Sequence, residues 1–295
     1  MKNSKPLVAG IGELLWDVFP DRRKAGGAPI NLVYHAARMG AKGCAISAVG
    51  NDDAGAELVR ELEEKGICNF IEKVEYPTGN VIVELNADGS PVYTITEGVA
   101  WDYMPLTQRA IDLIREADAV CFGTLAQRSP VSHETINALL NYAPESAIRL
   151  FDINLRRHYY SRVLIEESLR KANVFKLNDE ELATLRRMFD MGGSDDDVCR
   201  TFIEKYDLRY LVLTAGSVSS TIYSRDDTSV IPTPKITVED TVGAGDSFSG
   251  AFVYSILTGK SLREAHKTAV DVAAFVCTQR GAWPSCPRIL YFESK

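Results

Sequence analysis

Asp240-Thr-Val-Gly-Ala-Gly-Asp-Ser-Phe-Ser-Gly250 is a glycine turn with a carboxylate on each side, and apolar residues recur at helical spacing after it. The pattern predicts a loop that enters a helix with one buried face. At such an entry the first backbone N–H groups have no partner and the helix dipole is positive, so a phosphate-sized anion can bind there. Asp246 in this position is either a cap of the helix or a base that takes a proton from a nucleophile.

Strands and helices alternate along the rest of the chain. Predicted strands cover 6–11, 44–49, 69–74, 119–122, 148–153, 174–177 and 210–213, and predicted helices cover 31–39, 54–65, 131–142, 162–171, 180–189 and 195–206. This alternation predicts an α/β fold with a mostly parallel central sheet that is flanked by helices on both faces.

One segment departs from this alternation. Residues 79–85 and 92–96 show period-two patterning around Asn86-Ala-Asp-Gly-Ser90, which predicts a β-hairpin. Together with the extended stretch 13–23, the hairpin can form a small sheet inserted into the main domain. It is either an edge hairpin or a lid over a binding site.

The composition restricts the class of partner. The formal net charge is −7, which argues against a surface that binds nucleic acid or anionic membranes and favours small-molecule ligands. The six cysteines and four histidines show no metal-ligand spacing. No apolar stretch is long enough to span a bilayer, so we expect a protein of the reducing cytoplasm.

Polar residues follow several predicted strands, and the carboxyl ends of parallel strands are where ligands bind in such sheets. Each of them has a simpler explanation as a turn residue or a helix cap. Asp152-x-Asn154-x-Arg156 is harder to explain in that way, because three alternating polar side chains after an apolar strand point into one crevice. The other candidates are Asp17, Gly27, Asn31, Asn178, Glu181, Thr214 and Gly216.

Common nucleotide-binding motifs are absent or incomplete. Gly10-x-Gly12 lacks the third glycine of a dinucleotide fingerprint, and no helix start follows it. Gly259-Lys260-Ser261 resembles the end of a P-loop, but position 254 is Tyr where a glycine is needed. The phosphate-binding stretch that remains is the one at 240–250.

Three motifs resemble those of the ribokinase-like (PfkB) carbohydrate kinases. Gly26-Gly-Ala-Pro-Ile-Asn31 and Asp240–Asp246 are similar to the two signatures of that family, and Lys176-Leu-Asn-Asp-Glu-Glu181 is similar to its Asn-x-x-Glu motif. Their order and spacing agree over essentially the whole chain. Within the family, the stretches 98–102, 123–127 and 151–156 are most similar to fructokinases.

The resemblance implies one ribokinase-like domain over residues 1–295, with lid segments at about 13–24 and 78–102. It also implies that Asp246 is the base that deprotonates a sugar hydroxyl group. Gly243, Ala244 and Gly245 would present backbone N–H groups to the transferred phosphoryl group.

The resemblance also implies the ligands of the other site residues. The sugar would contact Asp17, Gly27, Asn31, Arg156 and Asp246; ATP would contact Asn178, Thr214, Gly216, Gly243 and Gly245. Glu181 and Asn178 would hold a hydrated Mg²⁺. A monovalent cation, K⁺, would be bound by Asp240, Val242, Gln279, Gly281 and Ser285.

The predicted function is therefore ATP-dependent phosphorylation of a sugar primary hydroxyl group, with fructose as the expected substrate. The alternatives within the family are a 2-keto-3-deoxygluconate kinase, because Arg156 can pair with a carboxylate, and a ribokinase. The alternatives from other classes are a dinucleotide-dependent oxidoreductase and a non-catalytic sugar-binding regulator. Exposed apolar residues on the lid hairpin, among Val81, Val83, Leu85 and Val92, would favour a homodimer through the lid.

Overall fold

The computed structural model describes residues 4–85 and 91–285. The strands of this part are β1 (Leu7–Ile11), β2 (Leu15–Val18), β3 (Arg23–Gly26), β4 (Lys42–Gly50), β5 (Cys68–Val74), β6 (Gly79–Leu85), β7 (Pro91–Ile95), β8 (Ala119–Phe122), β9 (Ile148–Asp152), β10 (Val174–Asn178), β11 (Tyr210–Ala215), β12 (Ser219–Tyr223) and β13 (Thr228–Pro232). The helices are α1 (Ala28–Met39), α2 (Asp53–Glu64), α3 (Gln108–Glu116), α4 (Pro130–Tyr142), α5 (Arg162–Lys171), α6 (Asp179–Phe189), α7 (Asp195–Tyr206), α8 (Ala244–Leu257) and α9 (Leu262–Cys277).

The large sheet has nine strands in the order β13-β12-β11-β10-β9-β8-β1-β4-β5. The seven strands from β11 to β5 pair in parallel, and β12 and β13 extend the sheet as antiparallel strands. Alternate residues of β1 pack on opposite sides of the sheet: Leu7, Ala9 and Ile11 belong to one apolar core and Val8 to the other. This burial on both faces explains why the strand is a continuous apolar run.

The small sheet has four strands in the order β3-β2-β6-β7, with β2 and β6 parallel and the outer pairs antiparallel. It joins the 13–23 stretch to the predicted hairpin, as expected. The predicted hairpin turn at 86–90 lies outside the described residues. Val81 and Val83 are buried, and the exposed apolar side chain between them is that of Ile82. The two valines therefore do not form the exposed apolar face that motivated the predicted lid homodimer. The side chains of Leu85 and Val92 lie outside the described part, and the homodimer itself stays a prediction.

The parallel core matches the predicted alternation, and the predicted ends differ from the observed ones by a few residues. The pattern of the sequence did not predict α3, α9 or the β12–β13 pair. Ser220 of β12 and Ser229 of β13 both contact the buried His266 of α9, at 2.8 and 2.9 Å. The antiparallel pair is thus joined to α9 by polar contacts that apolar patterning does not predict.

Within the described residues, no helix combines the length and the apolar character needed to cross a bilayer.

The packing of α8 on α1 requires a glycine at the contact. A Cβ atom at Gly250 of α8 would lie 2.5 Å from Leu32 O and 3.0 Å from His35 Cβ, both on α1. The backbones of the two helices can approach each other closely only because this side chain is absent. This close approach brings the start of α8 next to the start of α1.

We expect Gly250→Ala to lower the free energy of unfolding by about 1–3 kcal/mol, because the added methyl group overlaps backbone atoms of α1. Urea denaturation measures the change. Gly192→Ala is the control, since a Cβ atom at Gly192 would have no neighbour within 4 Å. Equal stability of the two variants would show that the contact does not require a glycine.

Candidate active site

The candidate site lies at the carboxyl ends of neighbouring strands of the large sheet. β1 is flanked by β4 on one side and β8 on the other, so the strand order reverses there. Ligands of open α/β sheets bind in the crevice at such a reversal. Asp152 ends β9, Asn178 ends β10, and Asn178 is in register with Thr214 of β11. The candidates at these strand ends therefore lie along one edge.

Asp246 lies in the first turn of α8, whose N-cap is Gly243 with φ of 78°. No side-chain hydrogen bond caps this helix among the described residues. Asp246 Oδ2 instead accepts a hydrogen bond from Asn31 Nδ2 at 2.8 Å. The interpretation of Asp246 as a helix cap is therefore wrong, since its carboxylate is bound to α1.

The environment of Asp246 makes its carboxyl group more basic than an ordinary aspartate. Burial raises the pKa of Asp246 to about 6, and the negative charge of Asp152 contributes to the rise. The hydrogen bond from Asn31 and the positive charges of Lys176 and Arg156 act in the opposite direction. A carboxyl group with this pKa is ionised at neutral pH and can accept a proton, which suits a general base.

The start of α8 offers N–H groups to an anion. Ser247 N makes the first i→i−4 hydrogen bond of the helix, to Gly243 O at 2.8 Å. The N–H group of Gly245 precedes that bond and has no backbone partner in the part of the chain that the structure describes. A Cβ atom at Gly245 would lie 3.0 Å from Lys176 Nζ. An anion at this helix start would therefore meet both backbone N–H groups and an ammonium group.

Lys176 is a buried site residue to which the sequence motif 176–181 assigned no role. Its Nζ lies 3.0 Å from Asp152 Oδ2 and 3.1 Å from Asp152 Oδ1. Burial lowers the pKa of Lys176, but the carboxylates of Asp152, Glu181 and Asp246 outweigh burial, so the pKa is raised and the group stays charged. A lysine within an otherwise apolar strand was the signal that could have identified it.

Glu13 is a second buried group that the sequence analysis missed. It follows β1, and its Oε1 accepts a hydrogen bond from Ala28 N at 3.2 Å. Burial raises the pKa of Glu13 to about 7, and the charge of Asp246 contributes to the rise. A charged residue directly after a buried strand was the available signal.

Asp17, Gly27 and Asn31 were predicted to bind the sugar, and they lie close to Asp246. Burial raises the pKa of Asp17 to about 6; Lys24 and Arg156 lower it, and the charge of Asp246 raises it further. The charge of Asp246 therefore reaches Asp17, which lies on β2 of the small sheet. Asn31 lies inside α1, so it does not cap that helix.

Gly27 is the N-cap of α1, with φ of 126°. A Cβ atom there would lie 2.0 Å from Glu13 O, so the turn requires a glycine at this position. The turn therefore packs directly against the backbone that follows β1.

Arg156 is exposed, and its Nη1 donates to Leu155 O at 3.0 Å. Its charge lowers the pKa of Asp17 and Asp246, so it lies within electrostatic reach of both. The side chain is therefore close enough to contribute charge to the site.

Asn178 and Glu181 form a capping box at the start of α6. Asn178 Oδ1 accepts from Glu181 N at 2.8 Å, and Glu181 Oε2 accepts from Asn178 N at 2.8 Å. Glu181 Oε1 accepts from Leu155 N at 2.9 Å. The structure thus confirms that Asn178 and Glu181 cap the start of α6. Capping does not prevent the same two side chains from binding a ligand as well.

This geometry bears on the predicted Mg²⁺. Both carboxylate oxygens of Glu181 already accept backbone N–H groups, so they fit an ion held through its own water molecules better than one bound directly. Among the described residues, no group of three His, Cys, Asp or Glu side chains converges to bind a metal ion. The fit to a hydrated Mg²⁺ thus rests on the hydrogen-bonded carboxylate of Glu181.

Thr214 and Gly216 lie at the end of β11 and in the turn to β12. Gly216 has φ of 47° and is exposed, and its carbonyl oxygen accepts from Thr233 Oγ1 at 2.8 Å. The structure brings Thr214 next to Asn178 in the sheet, whereas the hydrogen bond of Gly216 is made with Thr233. Their predicted role in ATP binding stays a prediction.

The residues predicted to bind a monovalent cation are partly brought together. Asp240 Oδ1 accepts from Val242 N at 3.0 Å, and Asp240 Oδ2 accepts from Gly281 N at 2.9 Å. Lys24 Nζ lies 3.8 Å from Asp240 Oδ2, so an ammonium group already stands beside this carboxylate.

The other two members of that set lie apart from these hydrogen bonds. Gln279 Nε2 donates to Thr278 Oγ1 at 2.9 Å, and Ser285 is exposed. K⁺ binding stays a prediction.

The arrangement combines three elements of a phosphoryl-transfer site. Asp246 is a buried carboxylate of raised pKa, the start of α8 can bind an anion, and Lys176 adds a positive charge beside it. Such a site can deprotonate a hydroxyl group next to a bound phosphate.

Comparison with known families agrees with this chemistry. The model of the pfkB family carbohydrate kinases matches residues 12–288. A protein of Pyrococcus horikoshii described as an uncharacterized sugar kinase is 29% identical over 304 residues, which cover 96% of this chain and 93% of that protein. Its crystal structure has a TM-score of 0.84 over 97% of each chain, and its complex with ATP has a TM-score of 0.77 at 27% identity, over 94% of each chain.

Fructokinases are similar over the same length. Fructokinase-1 of Oryza sativa subsp. japonica is 27% identical over 316 residues, covering 97% of this chain and 96% of that protein. The structure of a Vibrio cholerae O395 fructokinase in its fructose, ADP and calcium ion bound form has a TM-score of 0.83 at 21% identity, and the match covers 98% of this chain and 99% of that one. At this identity the structural match shows the shared fold.

We expect Lys176→Met to lower the free energy of unfolding by about 3–5 kcal/mol, because it leaves the buried Asp152 carboxylate without its partner. Urea denaturation measures this loss. The double variant Lys176→Met with Asp152→Asn should recover part of it, because Asp152 then carries no charge while Glu181 and Asp246, which also act on Lys176, keep theirs. Lys267→Met is the control, because it removes an exposed ion pair with Asp271. Equal losses in the two single variants would contradict the assignment of a buried pair.

Proposed function

This chain belongs to the pfkB family of carbohydrate kinases, and we propose that it uses ATP to phosphorylate the primary hydroxyl group of fructose. The observation that carries the proposal is the Asp246 carboxylate, buried with a raised pKa beside the start of α8. Fructokinase relatives that align with nearly the whole chain support fructose as the sugar.

In the proposed reaction, the Asp246 carboxylate takes the proton of the sugar hydroxyl group. The hydroxyl oxygen then forms a bond to the γ-phosphorus of ATP as the bond to the ADP oxygen breaks. The N–H group of Gly245 and the Lys176 ammonium group stabilise the charge on the transferred phosphoryl oxygens. The N–H group of Ala244, which was predicted to take part, donates to Thr241 O at 3.2 Å instead. Because the transition state is loose, positioning and charge stabilisation contribute most of the rate enhancement.

The sugar would bind between the start of α1 and β2 of the small sheet. Asn31 and Asp17 contribute polar side chains there, and Gly27, at the start of α1, is the third predicted sugar contact. Because Asp17 belongs to the small sheet and Asp246 to the large domain, a bound sugar would touch both. This supports the proposal that residues 1–295 form one domain in which the small sheet acts as a lid.

Asn178 and Glu181 would hold the hydrated Mg²⁺ through water molecules. When bound, that ion neutralises charge on the ATP phosphates. The capping box fixes both side chains before any ligand arrives, because each of them accepts a backbone hydrogen bond of the other.

A second candidate substrate is 2-keto-3-deoxygluconate. The exposed Arg156 guanidinium, which lies within electrostatic reach of Asp17, favours it because the group can pair with the carboxylate of an acid sugar. In that case Arg156→Gln would raise KM for the acid sugar and leave KM for fructose nearly unchanged.

An ADP-release assay over fructose, ribose and 2-keto-3-deoxygluconate tests the substrate. We expect kcat/KM for fructose to exceed that for the others by about tenfold or more, a difference that corresponds to about 1.4 kcal/mol in the transition state. A preference for 2-keto-3-deoxygluconate would establish the second candidate. Sugar binding by calorimetry without turnover of any of the three would contradict a kinase and indicate the regulator.

We expect Asp246→Asn to lower kcat by about 10²–10⁴-fold, because the amide cannot accept the proton of the hydroxyl group. The same ADP-release assay, at saturating fructose and ATP, measures the loss. Asp271→Asn on the exposed face of α9 is the matched control and should keep the parent rate. Turnover of Asp246→Asn within tenfold of the parent would show that another group is the base.

A further inference from the structure

Trp283 lies after α9 and contacts the start of α1. Its ring stacks on Tyr34, with ring centroids 5.6 Å apart and planes inclined by 19°. Its Nε1 donates a hydrogen bond to Asn31 Oδ1 at 2.7 Å. Tyr34 Oη donates to Pro284 O at 2.8 Å, which holds this segment against α1. The indole ring is therefore fixed by stacking as well as by its hydrogen bond.

The hydrogen bond of Trp283 determines which way the Asn31 amide points. An indole N–H can only donate, so it requires the amide oxygen, and the amide NH₂ group must then point the other way. That group donates to Asp246 Oδ2 at 2.8 Å. If the amide turned over, its oxygen would face the Asp246 carboxylate and its NH₂ group would face the indole N–H. Both contacts would then be repulsive.

We propose that Trp283 is a positioning residue for the catalytic base: through the Asn31 amide it holds a hydrogen-bond donor against the Asp246 carboxylate. The proposal rests on the proposed function to the extent that Asp246 acts as the base. A donor to the ionised carboxylate stabilises that form, so it keeps the base deprotonated at lower pH. Trp283 thereby extends the active pH range without touching the substrate.

Other charged groups also act on Asp246, and the contribution of Asn31 adds to theirs. The carboxylates of Asp152, Glu13 and Asp17 face it with like charge, and Lys176 and Arg156 face it with opposite charge. None of these groups hydrogen-bonds to Trp283 among the described residues. A change at Trp283 therefore alters the donor from Asn31 and leaves the charges in place.

Trp283→Phe tests the proposal, because it removes the N–H donor and keeps an aromatic ring to stack on Tyr34. The pH profile of kcat/KM should fall on its acid side as Asp246 becomes protonated, near pH 6 in the parent. In Trp283→Phe we expect this limb to move up by about one pH unit and kcat/KM at pH 6 to fall about fivefold. The control is Tyr206→Phe on α7, which removes a buried hydroxyl group that has no hydrogen-bond partner among the described residues. Its limb should stay at the parent position.

A double-mutant cycle separates this route from a general effect on folding. In an Asn31→Ala background no amide remains to be oriented, so adding Trp283→Phe should not move the acid limb further. An additional shift of the limb in the double variant would overturn the proposal. So would a Trp283→Phe limb at the parent position.

A direct titration separates this proposal from the proposed function. Carbon NMR of protein labelled at aspartate carboxyl groups, with the Asp246 signal assigned from Asp246→Asn, reports the pKa of Asp246 without turnover. We expect a higher pKa in Trp283→Phe than in the parent. That result in a protein that phosphorylates no sugar would support the orienting role of Trp283 and reject the kinase activity. An unchanged pKa of Asp246 in Trp283→Phe, in a protein that does phosphorylate a sugar, would support the kinase activity and reject the orienting role of Trp283.

Discussion

Lys176 places one positive charge among the buried carboxylates of Asp152, Glu181 and Asp246, and the candidate site depends on that balance. Burial makes each charge costly, and the single ammonium group offsets part of that cost, since burial still raises the pKa of Glu181 and of Asp246. The pKa of Lys176 is raised despite burial, which shows that the carboxylates dominate its environment. The pKa of Asp246 still reaches about 6, because burial and the negative charge of Asp152 outweigh the effect of Lys176. The base is therefore ionised at neutral pH and remains able to accept a proton.

The position of this charge cluster follows from helix packing. Gly250 allows α8 to approach the backbone of α1, and Asn31 of α1 then reaches the carboxylate of Asp246. Trp283, near the end of the described chain, donates a hydrogen bond to the amide oxygen of Asn31, while the amide nitrogen binds Asp246. Residues separated by more than 200 positions along the chain are thus joined by two consecutive hydrogen bonds. A small change in the packing of α8 on α1, or in the contact of Trp283 with α1, would shift the Asp246 carboxylate relative to the anion-binding start of α8.

Much of the fold could be predicted from the sequence, because its pattern is local. The apolar run of β1 and the helix after Gly243 follow from residues within one element, and so do the parallel strands between them. The β12–β13 pair was not predicted. It is stabilised by His266 of α9, a buried residue distant in sequence that contacts both Ser220 and Ser229. Asn178 and Glu181 were correctly seen as a helix cap, because a capping box needs only three residues of spacing. The role of Asp246 was left open by the local pattern, and its hydrogen bond to Asn31 excluded the cap.

The sequence by itself determined the α/β architecture, the glycine turn that enters α8, and the residue types that gather at the strand ends. These depend on periodicity and on backbone freedom, which act over a few residues. Only the tertiary structure decided which of those residues share an environment. Lys176 and Glu13 became site residues through burial beside other charges, and Trp283 did so through a hydrogen bond from a distant segment. Desolvation and charge coupling depend on distance in space, and the order of residues along the chain does not contain that distance.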